Sequence, residues 1–239
     1  MTSLVDLRDE VWRANQALFE SDLVTLSFGN ASGVDRAAGV LLIKPSGVPY
    51  EALRPADLVA VALEDGRTVE GRLRPSSDTP THLVLYRRFP EIGGVVHTHS
   101  TEASAWAQAG RPIPPFGTTH ADHFHGPVPV TRPLTAGEIE GDYEAATGRV
   151  IVETLDQADL GPLEMPAVLV ANHGPFTWGP DPKAAVENAI ALEMVAAMAR
   201  RALQLAPGLG PVPDALLERH FSRKHGSGAY YGQTQDDRR

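Results

Sequence analysis

The chain contains no cysteine, which removes both a disulfide framework and every thiolate metal site. Imidazole and carboxylate are left as its strong metal ligands. Lysine is almost as scarce: Lys44, Lys183 and Lys224 are the only three among 239 residues. The last two fall on segments that read as solvated helices, so Schiff-base catalysis has little to work with. Carbanion chemistry in this chain would need a metal as its electron sink. No basic stripe is present either, the densest cluster being Arg219, Arg223 and Lys224. With a formal net charge of −9 and a pI of 5.4, a general nucleic-acid binder is excluded. No apolar run approaches the roughly 20 residues that span a bilayer. The opening MTSLVDLRDEVW carries acids where a signal peptide carries a basic region, so a cytoplasmic protein without membrane attachment is expected. Walker and GxGxxG glycine spacings are both missing.

A hydrophobic content of 42% is enough to bury one α/β core over residues 1–232, followed by a polar tail at 233–239. Ser3 and Asp6 have capping-box spacing ahead of a helix running to about residue 20. LVTLSFG, GVLLIKPSG and DLVAVALEDG read as strand-like pieces, the last closing in an Asp-Gly turn before RTVEG. A helix from about Thr79, a strand in GGVVHTHS and a helix from about Ser100 follow, then a Pro- and Gly-rich segment at 110–118. A helix-like piece at 135–147 leads to VIVETL, and the strand AVLVANHG precedes a long helix. There Val186, Ile190, Met194, Ala197, Met198 and Leu205 keep a 3.6-residue period that predicts core packing. A last helix is expected over 213–224.

The chemistry-bearing feature is an apolar strand ending in His97-Thr98-His99. Alternate strand residues share a face, so the two imidazoles point one way with Cα atoms about 7 Å apart. The pattern also occurs on solvated strand ends. His173, at the end of the AVLVAN strand, offers a third neutral nitrogen, and three imidazoles with an open fourth position suit catalytic zinc. In RPSSDTPTH, Ser77 or Asp78 could simply cap a helix. Alternatively Ser76 and Ser77 could hold an anion at the helix N-terminus while Asp78 turns toward a cation. IKPSGVPY is either an ordinary turn or a second anion pocket, with Ser46 and Gly47 beside Lys44.

With these motifs in view, the chain resembles the L-ribulose-5-phosphate 4-epimerases, a branch of the class II aldolase superfamily that includes fuculose-phosphate aldolase. The likeness runs from about Leu4 to Gln233 through LVTLSFGNAS, IKPSGV, PSSDTPTH, VVHTHS, AQAG, GTTHAD, NHGPF and KHGSGAYYGQ. It implies a single-domain, three-layer class II aldolase-like fold of the α/β class, with a central, mainly antiparallel β-sheet flanked by helices. It further implies that His97, His99, His173 and Asp78 hold Zn2+, with Mn2+ or Co2+ as substitutes. Gly29, Asn30, Ser46, Gly47, Ser76 and Ser77 would bind the sugar phosphate, with Lys44 adding positive charge. Asp122 and Tyr231, which alone read as a loop acid and a tail aromatic, would be the acid/base pair. In such a family they reach the site across the interface of a homotetramer, on a phosphorylated ketopentose drawn from L-arabinose breakdown.

The chemistry fits independently. The C4 hydrogen of a 2-ketose is not α to the carbonyl, so direct deprotonation would leave an unstabilised carbanion. Retro-aldol cleavage of C3–C4 instead gives an enediolate and glycolaldehyde phosphate, and rotation of the aldehyde before recombination inverts C4. Asp78 stands where the related aldolases carry a glutamate, which favours epimerase over aldolase. His123 and His125 depart from the family's tyrosines and Asn172 from its serine. Either these are tolerated surface variation, or His120, His123 and His125 form a second interface metal site. The alternatives are a sugar-phosphate aldolase, an epimerase for L-xylulose 5-phosphate, and a non-catalytic scaffold.

Overall fold

Seven strands hydrogen-bond into one sheet in the order β4-β3-β2-β1-β5-β7-β6, with every neighbouring pair antiparallel. The computed structural model describes residues 4–225 together with 229. In chain order it runs α1 (Leu4–Glu20), β1 (Asn30–Asp35), β2 (Val40–Ile43), β3 (Val59–Ala62), β4 (Thr68–Glu70), α2 (Thr79–Arg88) and β5 (Gly94–His97). Next come α3 (Thr101–Gln108), α4 (Thr118–Ala121), α5 (Ala136–Glu140) and α6 (Tyr143–Gln157), then β6 (Ala167–Leu169), β7 (Pro175–Gly179), α7 (Pro182–Leu205) and α8 (Asp214–His225). This is the expected α/β arrangement of a mainly antiparallel sheet between helices. No helix among the described residues is long and apolar enough to cross a membrane.

Strand alternation assigns the faces. Leu41, Ile43, Val59, Val61 and Val95 join the large cluster with Leu85 and Tyr86 of α2. Their neighbours Leu42, Ala60 and Val96 turn the other way, Leu42 and Ala60 toward Leu7 and Val11 of α1 and Val96 toward Val186 of α7. Because both faces are covered, β5 is buried throughout and reads as an uninterrupted apolar run. On the α2 side Ser32 bridges His82 Nδ1 at 2.7 Å and the Tyr86 hydroxyl at 2.8 Å, tying the centre of the sheet to the helix.

Four sequence expectations change. LVTLSFG is a loop, with Leu26 in the left-handed region at φ 57°, and the strand is the next segment, NASGVD. That segment has poor strand propensity but sits between β2 and β5, where backbone pairing decides. The piece at 135–147 is two helices, and VIVETL continues the second. Val150, Ile151 and Leu155 are buried at helical spacing, and Gly148 lets α6 approach Val84 of α2. AVLVANHG is a strand only over Ala167–Leu169, which leaves His173 in a turn, and Pro175 opens β7, a first-residue position that tolerates its missing N–H. On α7 Val186 of the predicted core row is buried, but most of that row turns outward: Ile190, Met194, Met198 and Leu205 are 38–89% exposed. The buried row is Ala185, Val186, Ala189, Leu192, Val195, Ala196 and Ala199, whose small side chains let the helix lie close to the sheet. Of the proposed capping box, Ser3 lies outside the described residues.

Burial holds His82 and His120 neutral, pushing their pKa values down to about 3 and about 4, well below the usual 6.5. The unfolded chain therefore takes up protons below about pH 6.5 that the fold refuses until about pH 4, so stability is full above that window and falls through it. Denaturant midpoints of the metal-free protein are expected to drop steadily from pH 7 to pH 4, and a flat profile would contradict the assignment.

Candidate metal centre and substrate pocket

The three histidines come from two neighbouring strand ends. His97 closes β5, His99 lies two residues on, and His173 sits in the turn between β6 and β7. That turn is set by Asn172, held at φ 61° with its N–H on the Ala107 carbonyl. Asparagine accepts the left-handed region more readily than most residues, which gives Asn172 a structural reason. Gly174 follows where a Cβ would meet the Thr98 carbonyl at 2.7 Å, so only glycine lets the two loops approach this closely.

His97 Nδ1 lies 3.0 Å from the Pro175 carbonyl, and its ring stacks on Phe176 with centroids 4.2 Å apart. The carbonyl can only accept, so Nδ1 carries the proton and the Nε2 lone pair faces inward. There it meets His99 Nε2 at 3.1 Å, close to the about 3.3 Å edge expected between nitrogens around a tetrahedral zinc ion. One ligand nitrogen from each of the three residues falls within 4.8 Å of the others, the sole such group of three among the described residues. Burial pushes His97 down to about 4 and lowers His173, so both rings are neutral donors at pH 7. His173 Nδ1 is buried without a partner. The donor set fits a divalent cation.

Asp78 stands beside this group without joining it. Its Oδ2 accepts from Asn30 Nδ2 at 2.7 Å and from the Ser76 hydroxyl at 3.4 Å. Burial alone would raise its pKa, but the nearby His97 and His82 and the Asn30 amide outweigh that and keep it below the usual carboxylate range.

A pocket of about 380 Å³ opens above the histidines. Gly29, Asn30, Lys44, Ser46 and Gly47 line one side, and Ser76, Ser77 and Asp78 another, together with the three histidines. Lys44 is 1% exposed, lies 4.7 Å over the Tyr50 ring, and donates to the Ser27 carbonyl at 3.3 Å. Burial lowers its pKa to about 8, which still leaves it mostly charged at pH 7, and no carboxylate among the described residues forms a salt bridge with it. Gly29, at φ 76°, packs where a Cβ would meet the His97 carbonyl at 2.8 Å. Sequence reasoning missed Tyr143 and Glu144 at the start of α6, which also line the pocket and carry no local signature. A larger cleft of about 620 Å³ lies near Pro180, but its ionisable groups are Glu10, Asp35, Arg36, Glu91 and Asp181. Arg36 there is committed to the Tyr86, Phe89 and Ile92 carbonyls.

Asp122 is not brought to the pocket of its own chain. Asp122 caps α4 and is gripped by α8, taking Arg223 Nε and Nη2 at 2.9 and 2.7 Å and His220 Nδ1 at 3.1 Å. Burial would raise its pKa, and those hydrogen bonds more than reverse the effect. Tyr231 lies outside the described residues. The histidines around Asp122 do not form a shared-ion group among the described residues. His120 is 3% exposed with Nε2 on the Gly126 carbonyl, and His125 pairs with Glu218 at 2.8 Å.

Comparison with known proteins converges on the same chemistry. Residues 9–200 match the family model described as class II aldolase and adducin N-terminal domain. A Salmonella paratyphi A protein named L-ribulose-5-phosphate 4-epimerase UlaF is 54% identical over 227 residues, covering 95% of this chain and 98% of that relative. Its Salmonella paratyphi C namesake is 53% identical over the same shares. Among solved structures, an L-fuculose 1-phosphate aldolase superposes with a TM-score of 0.77 at 26% identity, over 93% of this chain and 97% of the other. The L-fuculose-1-phosphate aldolase of Thermus thermophilus gives 0.62 at 26% identity, over 87% and 98%. Replacing the best-oriented imidazole, His97→Asn, is expected to abolish retention of a divalent ion through gel filtration. Elemental analysis reads the result, and an undiminished metal content would remove His97 from the centre.

Proposed function

The chain belongs to the class II aldolase and adducin N-terminal domain family, and on that premise we propose that it is an L-ribulose-5-phosphate 4-epimerase, inverting C4 to give D-xylulose 5-phosphate. The observation that carries the reading is one pocket in which His97, His99 and His173 converge beside a buried lysine and the PSG and PSSD turns. His97, His99 and His173 would hold the ion, with Asp78 as an added carboxylate. An all-imidazole, thiolate-free set suits Zn2+, and Mn2+ or Co2+ are compatible. When bound, the ion supplies Lewis-acid stabilisation for the negative charge that develops on the ketose oxygens as C3–C4 opens.

The protein's own groups do the rest. Lys44, the Ser46 and Ser77 hydroxyls, the Ser76 turn and the backbone around Gly29 and Gly47 bind the phosphate and keep the aldehyde fragment from escaping while it turns. Proton transfer at the C4 oxygen needs one acid/base group on each aldehyde face, and Asp122 and Tyr231 are assigned to it. Because Asp122 does not line the pocket of its own chain, it would be supplied by a neighbouring copy in a homotetramer. The exposed Ile190, Met194 and Met198 row on α7 supports assembly.

Incubation of the zinc-loaded protein with L-ribulose 5-phosphate is expected to accumulate D-xylulose 5-phosphate. Lasting free glycolaldehyde phosphate would make the enzyme an aldolase instead. The shared site gives a second test. His97→Asn and Asp122→Asn are each expected to be inactive alone. Unfolded together and reassembled, they should regain about a quarter of wild-type turnover, since random mixing leaves that share of interfaces with both groups intact. No recovery would overturn the assignment of Asp122 to a neighbouring copy's site.

A further inference from the structure

α8 buries a single side chain, Phe221, so little apolar area holds this helix to the body. The pair between His125 and Glu218 adds little, because the Glu218 side chain is 62% exposed. The larger contact is a run of rings. Phe221 stacks on His125 with centroids 4.6 Å apart and 29° between planes. It also stacks on His225, one turn further along α8, at 4.6 Å and 24°. His225 Nε2–H then donates to the Asp122 carbonyl at 2.9 Å. The ladder therefore ends on the residue whose carboxylate takes Arg223 and His220 from the same helix.

His125 is the ring in this ladder that does not belong to α8, and its loop is fixed to the body. Its backbone N–H donates to the Glu164 carbonyl at 3.1 Å, the preceding Phe124 is fully buried in the large cluster, and His120 Nε2–H donates to the following Gly126 carbonyl at 2.7 Å. The ring is thus a stationary stop on which α8 comes to rest. A slide or rotation of α8 would carry Arg223 and His220 off Asp122, because they share one helix with Phe221. We propose that His125 is a positioning residue for Asp122: its stack on Phe221 sets where α8 lies, and through Arg223 and His220 how the carboxylate is aimed at the neighbouring copy's pocket. The inference rests on the assignment of Asp122 as an acid/base group. The ring carries the effect, and the pair with Glu218 does not.

In the zinc-loaded protein His125→Ala is expected to lower kcat for L-ribulose 5-phosphate about 10-fold, with KM held within about twofold and zinc content unchanged. His125→Phe keeps a stacking ring and loses the Glu218 pair, and should restore most of kcat. Mixing reads where the defect acts. Reassembled with an equal amount of His97→Asn, His125→Ala should recover about a quarter of wild-type turnover, since the His97→Asn copies supply well-aimed acids to intact pockets. Reassembled with Asp122→Asn it should gain nothing over the unmixed pair, because both lesions fall on the same side of the shared site. The proposal is overturned by unchanged kcat in His125→Ala, by zinc lost along with activity, by failure of His125→Phe to restore kcat, or by a gain in the mixture with Asp122→Asn. It is overturned equally if His97→Asn complements Asp122→Asn but not His125→Ala. Full turnover by Asp122→Asn alone is a separate result, which overturns the acid/base assignment and this proposal with it.

Discussion

The contact on which the site depends is the hydrogen bond from His97 Nδ1 to the Pro175 carbonyl, reinforced by the Phe176 stack. It joins the end of β5 to the first residues of β7, and it decides the tautomer of the most buried imidazole. Without it the Nε2 lone pair would have no fixed direction, and two histidine nitrogens at 3.1 Å would be a chance encounter. The sheet order makes the contact available. Pairing β7 beside β5 brings the 173–175 turn over the 97–99 segment, although His97 and Pro175 are 78 residues apart in the chain.

That arrangement demands neutrality. Burial of His97 and His173 favours the uncharged ring, which is the form that ligates. The same burial makes Asp78 and Lys44 costly to keep charged unless each meets an opposite charge. Asp78 is held ionised by hydrogen bonds and nearby imidazoles, and Lys44 rests over Tyr50 and on a backbone carbonyl. A cation between the histidines and a phosphate near Lys44 would each relieve one of these costs, so the pocket is already polarised toward a substrate with a metal-seeking end and an anionic end.

The strings in the sequence located this site better than they located the elements around it. His97 and His173 were legible because strand-end histidines after apolar runs are local patterns, and the PSSD and PSG turns were legible by their residue types. β1 was not, because NASGVD is a strand only through neighbours on both sides, a tertiary effect that local propensity does not record. The α7 row was misread for a related reason: periodicity finds two apolar rows on that helix, and only the sheet decides which is covered. Alanines won because they permit close approach, leaving the larger side chains outward. Tyr143 and Glu144 had no signal at all, since α6 delivers them to the pocket by packing against α2.

Asp122 shows why a chain can carry a group that its own fold does not use. The carboxylate is bound by an arginine and a histidine from α8, which commits two side chains to one partly buried acid. As plain stabilisation this would be a weak device, because desolvating the three groups offsets much of their attraction. As a way to fix the direction and lower the pKa of an acid proposed to serve a neighbouring copy's pocket, it is efficient: the geometry is set before any neighbour arrives. The same logic governs Asp78, which accepts from Asn30 and Ser76. Both acids are thus held in one orientation by neighbouring donors before any ligand is bound.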